Sequence, residues 1–435
     1  MLEQTIMPAI GVAGNGNLTL GGCDLNDIVN EYGTPVYVMD EETIVKNCRA
    51  FQNALVKHYG DNFTVAYASK ALACMEIYRI MARENMGIDV VSGGELHTAL
   101  ASGFPVDRIY FHGNNKTPEE IDFGLTVGIH RFVVDNLEEL HLLNKLACKR
   151  RLCVDIAVRI RPGTEAQTHE FVQTGQLDSK FGVAIINGEA DEFVNQALLL
   201  DGVNIVGVHC HIGSQIFEPE PFAEAVTKLM ELCRNWRDKY GIVINEVNIG
   251  GGFGIKYIES QDPRDIDEVA RATAAAVKQC ALTFDFPLPH LVLEPGRAIV
   301  GNAGLTLYTV GSVKEIPDVR TYVSVDGGMT DNLRYALYQA KFHAVPVRYR
   351  SNDIRKPVAL AGRCCESGDL LAKSIDLSPV KAYDRIAVLA TGAYNYAMAN
   401  NYNRVPRPPI VMINDGQSRV IVRRESYHDM CKNDM

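Results

Sequence analysis

Short apolar runs rich in valine and isoleucine recur along the first two-thirds of the chain. Each is followed by a stretch with apolar residues at helical spacing. The runs cover 64–68, 88–91, 109–111, 131–134, 154–160, 206–211, 246–249 and 291–294. Their apolar residues are continuous rather than alternating, which predicts parallel strands buried on both faces. Between them, 75–85, 94–101, 118–126, 137–149, 189–200, 220–239 and 266–281 carry apolar residues three or four apart and predict helices. Eight such alternations predict a (β/α)8 barrel; an open doubly wound sheet has the same alternation and is the alternative.

The two ends read differently. Beyond about residue 300, runs at 305–313, 321–325, 356–360, 385–389, 410–413 and 418–421 look like strands broken by Gly, Pro and Asn-Asp turns. Two further strand-like runs, 17–20 and 35–38, precede the barrel pattern. The expected fold is α/β plus β: a barrel over 37–298, and a mostly-β domain built from 1–36 and 299–435.

Composition narrows the class. The 435 residues are 47% hydrophobic and 22% charged, which excludes a disordered chain, a collagen-like repeat and a coiled coil. With 43 basic and 53 acidic residues the net charge is −10, which argues against a nucleic-acid sleeve or an anionic-membrane binder. The 11 cysteines are odd in number and none has zinc-ligand spacing, so no metal is expected. The N-terminus lacks a secretory pattern and no apolar run reaches 18 residues. The expectation is a reducing cytoplasm with free thiols.

In a parallel barrel the chemistry sits where strands end. The first predicted strand runs into Lys70; the second contains Asp89 and leads into Ser92, Gly93, Gly94 and Glu95. The sixth ends at His209, Cys210 and His211, followed by Ser214. The seventh ends in Gly250, Gly251 and Gly252, and the eighth in Glu294, Pro295, Gly296 and Arg297. Three successive glycines expose backbone N–H groups to a phosphate, with Ser214 able to add a hydroxyl; a tight positive-φ turn is the alternative. A lysine in a closed pocket loses hydration, which favours the neutral amine that attacks aldehydes; a surface lysine is the alternative. Together they suggest a phosphorylated aldehyde, pyridoxal 5'-phosphate. A carboxylate at Glu294 would keep the pyridine nitrogen protonated, which suits loss of carbon dioxide, and His211 would stack on the ring. In the β domain, Arg334 joins Arg297 as a candidate carboxylate clamp. Cys365 is a candidate acid for a carbanion. Isolated, each of these residues also fits a turn, a surface or a core role.

The residues in order carry a resemblance. YASKA (67–71), DVVSGGEL (89–96), HEFVQTGQLDSKFG (169–182), HCHIGSQI (209–216), GGGFG (250–254), EPGR (294–297), DGGMTDNLRYALY (326–338), CESGD (365–369) and GAYNYAMANNYN (392–403) span nearly the whole chain. The sequence resembles the fold-type III pyridoxal-phosphate-dependent decarboxylases, in particular the branch acting on meso-2,6-diaminopimelate. The resemblance implies that Lys70 carries the cofactor, His211 stacks on it and Glu294 pairs with its nitrogen. It implies that Asp89, Ser214, Gly250, Gly251, Gly252, Pro295, Gly296, Arg297 and Tyr394 complete the cofactor site. Arg297, Arg334, Tyr338, Glu366 and Tyr394 would hold the substrate, and Cys365 would donate the proton. It further implies a homodimer with shared sites, in which Cys365 and Glu366 reach the other subunit's barrel. The products would be L-lysine and carbon dioxide.

The chain departs from that pattern at Tyr335, where the family usually has proline, and at Arg161, where it usually has asparagine. A large aromatic beside the clamp bears on side-chain selectivity. The alternatives are a same-fold decarboxylase of ornithine, lysine or a carrier-bound amino acid, and a non-catalytic relative that binds the cofactor. Retention of Lys70, Cys365, His211 and Glu294 speaks against the last.

Overall fold

The computed structural model describes residues 2–163, 179–350 and 353–435. The chain divides into two compact units. One comprises Met1–Asn47, Ile255–Asp262 and Arg297–Met435; the other comprises Cys48–Gly254 and Pro263–Gly296.

The second unit is the barrel. Its strands are β1 (Phe63–Ala68), β2 (Gly87–Val90), β3 (Ile109–Phe111), β4 (Arg131–Val134), β5 (Val154–Arg161), β6 (Val203–His209), β7 (Glu246–Asn248) and β8 (His290–Leu293). Each pairs in parallel with the next, and β8 returns to β1 with Leu291 opposite Phe63. Closure removes the open-sheet alternative. A short strand, Val183–Ala184, adds itself in parallel to β5 outside the ring. The barrel strands are continuously buried where they line the core, as at β2, β3 and β4, and Ala66, Tyr110 and Val292 meet in its interior. That is why their sequence shows no alternation.

The helices obey local rules. Pro118–Val127 starts with Thr117, which caps the Glu120 N–H while Glu120 caps the Thr117 N–H, and it ends at Gly128 in the left-handed conformation. Its buried Ile121 and Leu125 are one turn apart. The run Ser92 to Glu95 is such a start too: Ser92 accepts the Glu95 N–H and opens the helix Gly93–Ser102.

The first unit is mostly β. A mixed sheet runs in the spatial order Leu370–Leu377, Lys356–Ala361, Arg320–Val325, Gly304–Ile316, Val36–Asp40, Ile410–Asn414 and Gln417–Val422. Ala344–Pro346 and Arg385–Val388 pair with each other, and the latter pairs with Gly304–Ile316. The strand Val36–Asp40 is buried at every residue, antiparallel to Gly304–Ile316 on one side and parallel to Ile410–Asn414 on the other. Among the described residues no helix is long and apolar enough to cross a membrane. All 11 cysteines are unpaired.

Candidate active site

In the barrel unit the strand ends assemble around one carboxylate. Glu294, just beyond β8, is 4% exposed. Asn248, the last residue of β7, donates from Nδ2 to Glu294 Oε1 at 2.7 Å. His209, the last residue of β6, places Nε2 3.2 Å from Glu294 Oε2. His112, the residue after β3, places Nε2 2.9 Å from Glu294 Oε1. Burial by itself would raise the Glu294 carboxyl, but the two histidines outweigh it and hold the group well below the carboxylate range. Burial pushes His209 down to about 4, so its ring is neutral and donates its Nε2 proton to the carboxylate. The result is a buried, ionised acceptor at the end of the barrel.

Asp89 is buried within β2, and its Oδ1 accepts the Ser69 N–H at 3.1 Å, which fixes the short turn Ser69–Ala71 that carries Lys70. Burial, then the charge of Glu294, raises Asp89 to about 6. Lys70, expected in a closed, dehydrated pocket, is instead exposed in this single chain, because it sits on the turn beyond the end of β1. Pro295 accepts the Ala68 N–H at 3.1 Å, and a Cβ on Gly296 would stand 2.9 Å from Ala68, so the ends of β8 and β1 are tightly joined.

The three glycines do two jobs. A Cβ on Gly251 would lie 2.2 Å from the Glu294 carbonyl oxygen, and one on Gly252 would lie 2.6 Å from that of Gly213. Only glycines let the loops after β6, β7 and β8 interlock this closely. Gly250 already donates its N–H to Asn248 Oδ1 (2.8 Å) and Gly251 donates to His211 Nδ1 (3.2 Å). Among the described residues the Gly252 N–H is the one of the three without an intrachain acceptor. His211 is half-buried, and its burial and the nearby Lys70 charge keep it well below the usual imidazole value. Ser214 is half-buried in the same loop.

In the other unit the arginines form a second cluster. Arg297 Nη1 donates to the Tyr257 hydroxyl at 2.6 Å and Arg334 Nη1 donates to the same oxygen at 3.0 Å. Both guanidiniums are buried, at 7% and 8% exposure. Arg297 lies over the Tyr394 ring at 4.7 Å, and Arg334 lies 5.5 Å from the Phe342 ring centroid. Burial would raise the Tyr257 phenol, but the two guanidiniums bring it below its ordinary value. Arg334 and Tyr338 are the two ends of the single-turn helix Arg334–Tyr338, so they share a face, whereas Tyr335 points about 100° away from it. Arg161 is engaged elsewhere, by Glu189 and the Ser179 carbonyl.

Cys365 and Glu366 are exposed on a loop. Asp369 anchors that loop: its Oδ1 accepts the Met329 N–H and its Oδ2 the Cys364 N–H, each at 2.6 Å. The carboxylate thus ties the cysteine-bearing loop to the loop that leads into Arg334. Burial, then Asp369, pushes the neighbouring Cys364 thiol up to about 12. Residues 169–178 of the HEFVQTGQLDSKFG motif lie outside the described residues.

An exposed primary amine, a buried ionised carboxylate and a glycine amide on one barrel end form the donor set that a phosphorylated pyridine aldehyde requires, so the residues fit pyridoxal phosphate. Residues 41–301 match the family model described as pyridoxal-dependent decarboxylase, pyridoxal binding domain. The chain belongs to the pyridoxal-dependent decarboxylases. It is 46% identical over 421 residues to diaminopimelate decarboxylase of Bacillus subtilis, covering 97% of this chain and 96% of that one. It is 43% identical to the enzyme of that name from Staphylococcus aureus, covering 97% and 98%. Its backbone is similar to the crystal structure of diaminopimelate decarboxylase from M. jannaschii in complex with L-lysine, with a TM-score of 0.92, 36% identity and coverage of 100% and 99%.

Within this pyridoxal-dependent decarboxylase, His112, Asn248, Tyr257 and Asp369 are additions to the sequence-derived set. His112 and Asn248 were open to the strand-end rule. Tyr257 follows the glycines on an irregular segment and had no such signal.

Proposed function

We propose that the protein decarboxylates meso-2,6-diaminopimelate to L-lysine and carbon dioxide with pyridoxal 5'-phosphate. The observation that carries the substrate is the pair of buried guanidiniums, Arg297 and Arg334, converging on one oxygen. Such a pair suits a substrate that brings a second carboxylate, far from the one it loses. A pocket for ornithine or lysine as substrate needs an acidic partner there, not two arginines. The relatives of the same name at 40% identity and above support the same reading.

Bound in the barrel, pyridoxal phosphate supplies an electron sink for the pair left when the α-carboxylate departs as carbon dioxide. Lys70 would hold the cofactor through Nζ. Glu294, held anionic and oriented by His112, His209 and Asn248, would keep a proton on the pyridine nitrogen. His211 would lie against the ring; Asp89 positions the turn that carries Lys70. Ser214, the Gly250 to Gly252 loop, Pro295 and Gly296 would hold the phosphate, the Gly252 N–H being available to donate, and Tyr394 would add to that set. Arg297, Arg334 and Tyr338 bind the distal carboxylate, and Glu366 the distal ammonium. Cys365 Sγ delivers a proton to the carbon that lost carbon dioxide and regains one from water.

The assembly in this reading is a homodimer in the cytoplasm. Exposure of Cys365 and Glu366 in the single chain supports their serving the other subunit, and the 11 unpaired thiols suit a reducing compartment. The test is a substrate panel. Carbon dioxide and L-lysine should form from meso-diaminopimelate far faster than carbon dioxide from L-lysine or ornithine. Faster turnover of either of the latter would overturn the substrate assignment.

A further inference from the structure

We propose that Tyr257 determines specificity, by spacing Arg297 and Arg334 and by offering its own proton to the carboxylate they bind. This rests on the reading of the two arginines given above.

Tyr257 lies on Ile255–Asp262, a segment that joins the β unit although it follows β7 in sequence. Its side chain is only 3% exposed and its ring meets Phe342 edge-on, at 5.4 Å and 89°. Its backbone N–H donates to Gln261 Oε1 at 2.8 Å, which pins the turn. The phenol is therefore held rigidly from the ring and from the backbone.

Two buried guanidiniums repel each other, and an acceptor shared between them offsets part of that cost. The phenol oxygen is that acceptor, and both its lone pairs are used. Its proton remains, and among the described residues nothing accepts it. The cluster therefore presents two guanidiniums and one O–H with no carboxylate among them. A substrate carboxylate, which accepts about four hydrogen bonds, is the group this arrangement lacks. A tyrosine present only to fill space would have its hydroxyl turned to solvent or to a protein acceptor, not shared between two cations.

The experiment compares two ligands on the holoenzyme, each followed through the visible spectrum of the cofactor. L-Lysine retains the carboxylate that would face the arginines. Cadaverine has the same chain and both amines but no carboxylate. The wild type should bind L-lysine more tightly than cadaverine. Tyr257→Phe should weaken L-lysine about tenfold or more and leave cadaverine within about twofold. Equal weakening of both ligands, or none for L-lysine, would overturn the proposal. A wild type that does not prefer L-lysine would instead overturn the arginine reading beneath it. Tyr257→Gln restores an acceptor and a donor, and its L-lysine loss should be smaller than that of Phe. Should the Phe variant not fold, the Gln variant decides: a fall in L-lysine affinity beyond that of cadaverine bears the proposal out, and both affinities reduced equally overturn it.

Discussion

Asn248 and Glu294 are joined by a 2.7 Å hydrogen bond from Nδ2 to Oε1, linking the end of β7 to the end of β8. The amide cannot turn over, because its Oδ1 is held by the Gly250 N–H. One side chain thus orients both the glycine loop and the carboxylate.

Asn248→Asp places a second negative charge against Glu294. A like charge favours the neutral carboxylic acid, so Glu294 takes up a proton at higher pH than in the wild type. The expected outcome is that the cofactor's visible absorbance is lost at a higher pH on acidification, with affinity weakened about tenfold or more. Spectral pH titration checks this; a midpoint that stays in place would show that Asn248 does not govern Glu294.

Gly251→Ala isolates sterics from backbone conformation, since the φ of Gly251 is not in the left-handed region, unlike that of Gly250 at 68°. The added methyl would sit 2.2 Å from the Glu294 carbonyl oxygen. Overpacking of this kind costs about 1–3 kcal/mol. The denaturation midpoint should fall accordingly and cofactor affinity should drop with it. Unchanged stability would mean that the loops after β7 and β8 give way easily.

Lys70→Ala should remove the visible absorbance of the bound cofactor, and Cys365→Ala should keep it while kcat falls about 10²–10⁴-fold. If Cys365 serves the other subunit, mixing the two inactive variants restores activity. Random exchange gives hybrid dimers with one intact site, for about a quarter of wild-type activity. Absence of recovery after exchange verified by mass would assign both residues to one subunit.

Asp331 offers a stability test away from the chemistry. It is 1% exposed and accepts bonds from the Tyr308 hydroxyl and the Gly328 N–H. Burial raises its carboxyl to about 7, from an ordinary value near 3.8. Between those values the folded chain holds a proton that the unfolded chain has lost, so this contribution is fully present below about pH 4 and disappears as pH rises through about 7. Asp331→Asn should flatten that part of the pH profile in urea unfolding between about pH 4 and 7.

The barrel was legible because its strands have to be buried on both faces, a demand that leaves continuous apolar runs. The boundaries moved by up to three residues: β6 begins at Val203 and stops at His209, where Cys210 and His211 leave the ladder for the loop. The strand Leu370–Leu377 was not foreseen, since it lies at a sheet edge where the exposed Lys373 and Ser374 interrupt its apolar run. Lys70, His211 and Glu294 stood at strand ends where the barrel rule looks. His112 stood there too, but β3 has only three residues and offers little to mark its end. Tyr257 and Asp369 act through contacts between segments distant in sequence, which periodicity does not report.

The interior strand Val36–Asp40 sets a schedule for biosynthesis. It is made early, yet its antiparallel partner, with Leu305 opposite Val38, leaves the ribosome about 270 residues later, roughly 15–55 s at ordinary elongation rates. Its other neighbour, Ile410–Asn414, comes later still. During that interval both edges of an apolar strand lack their native partners while the barrel is being translated. The nascent chain therefore carries an unpaired apolar strand, open to misassociation, for most of its synthesis.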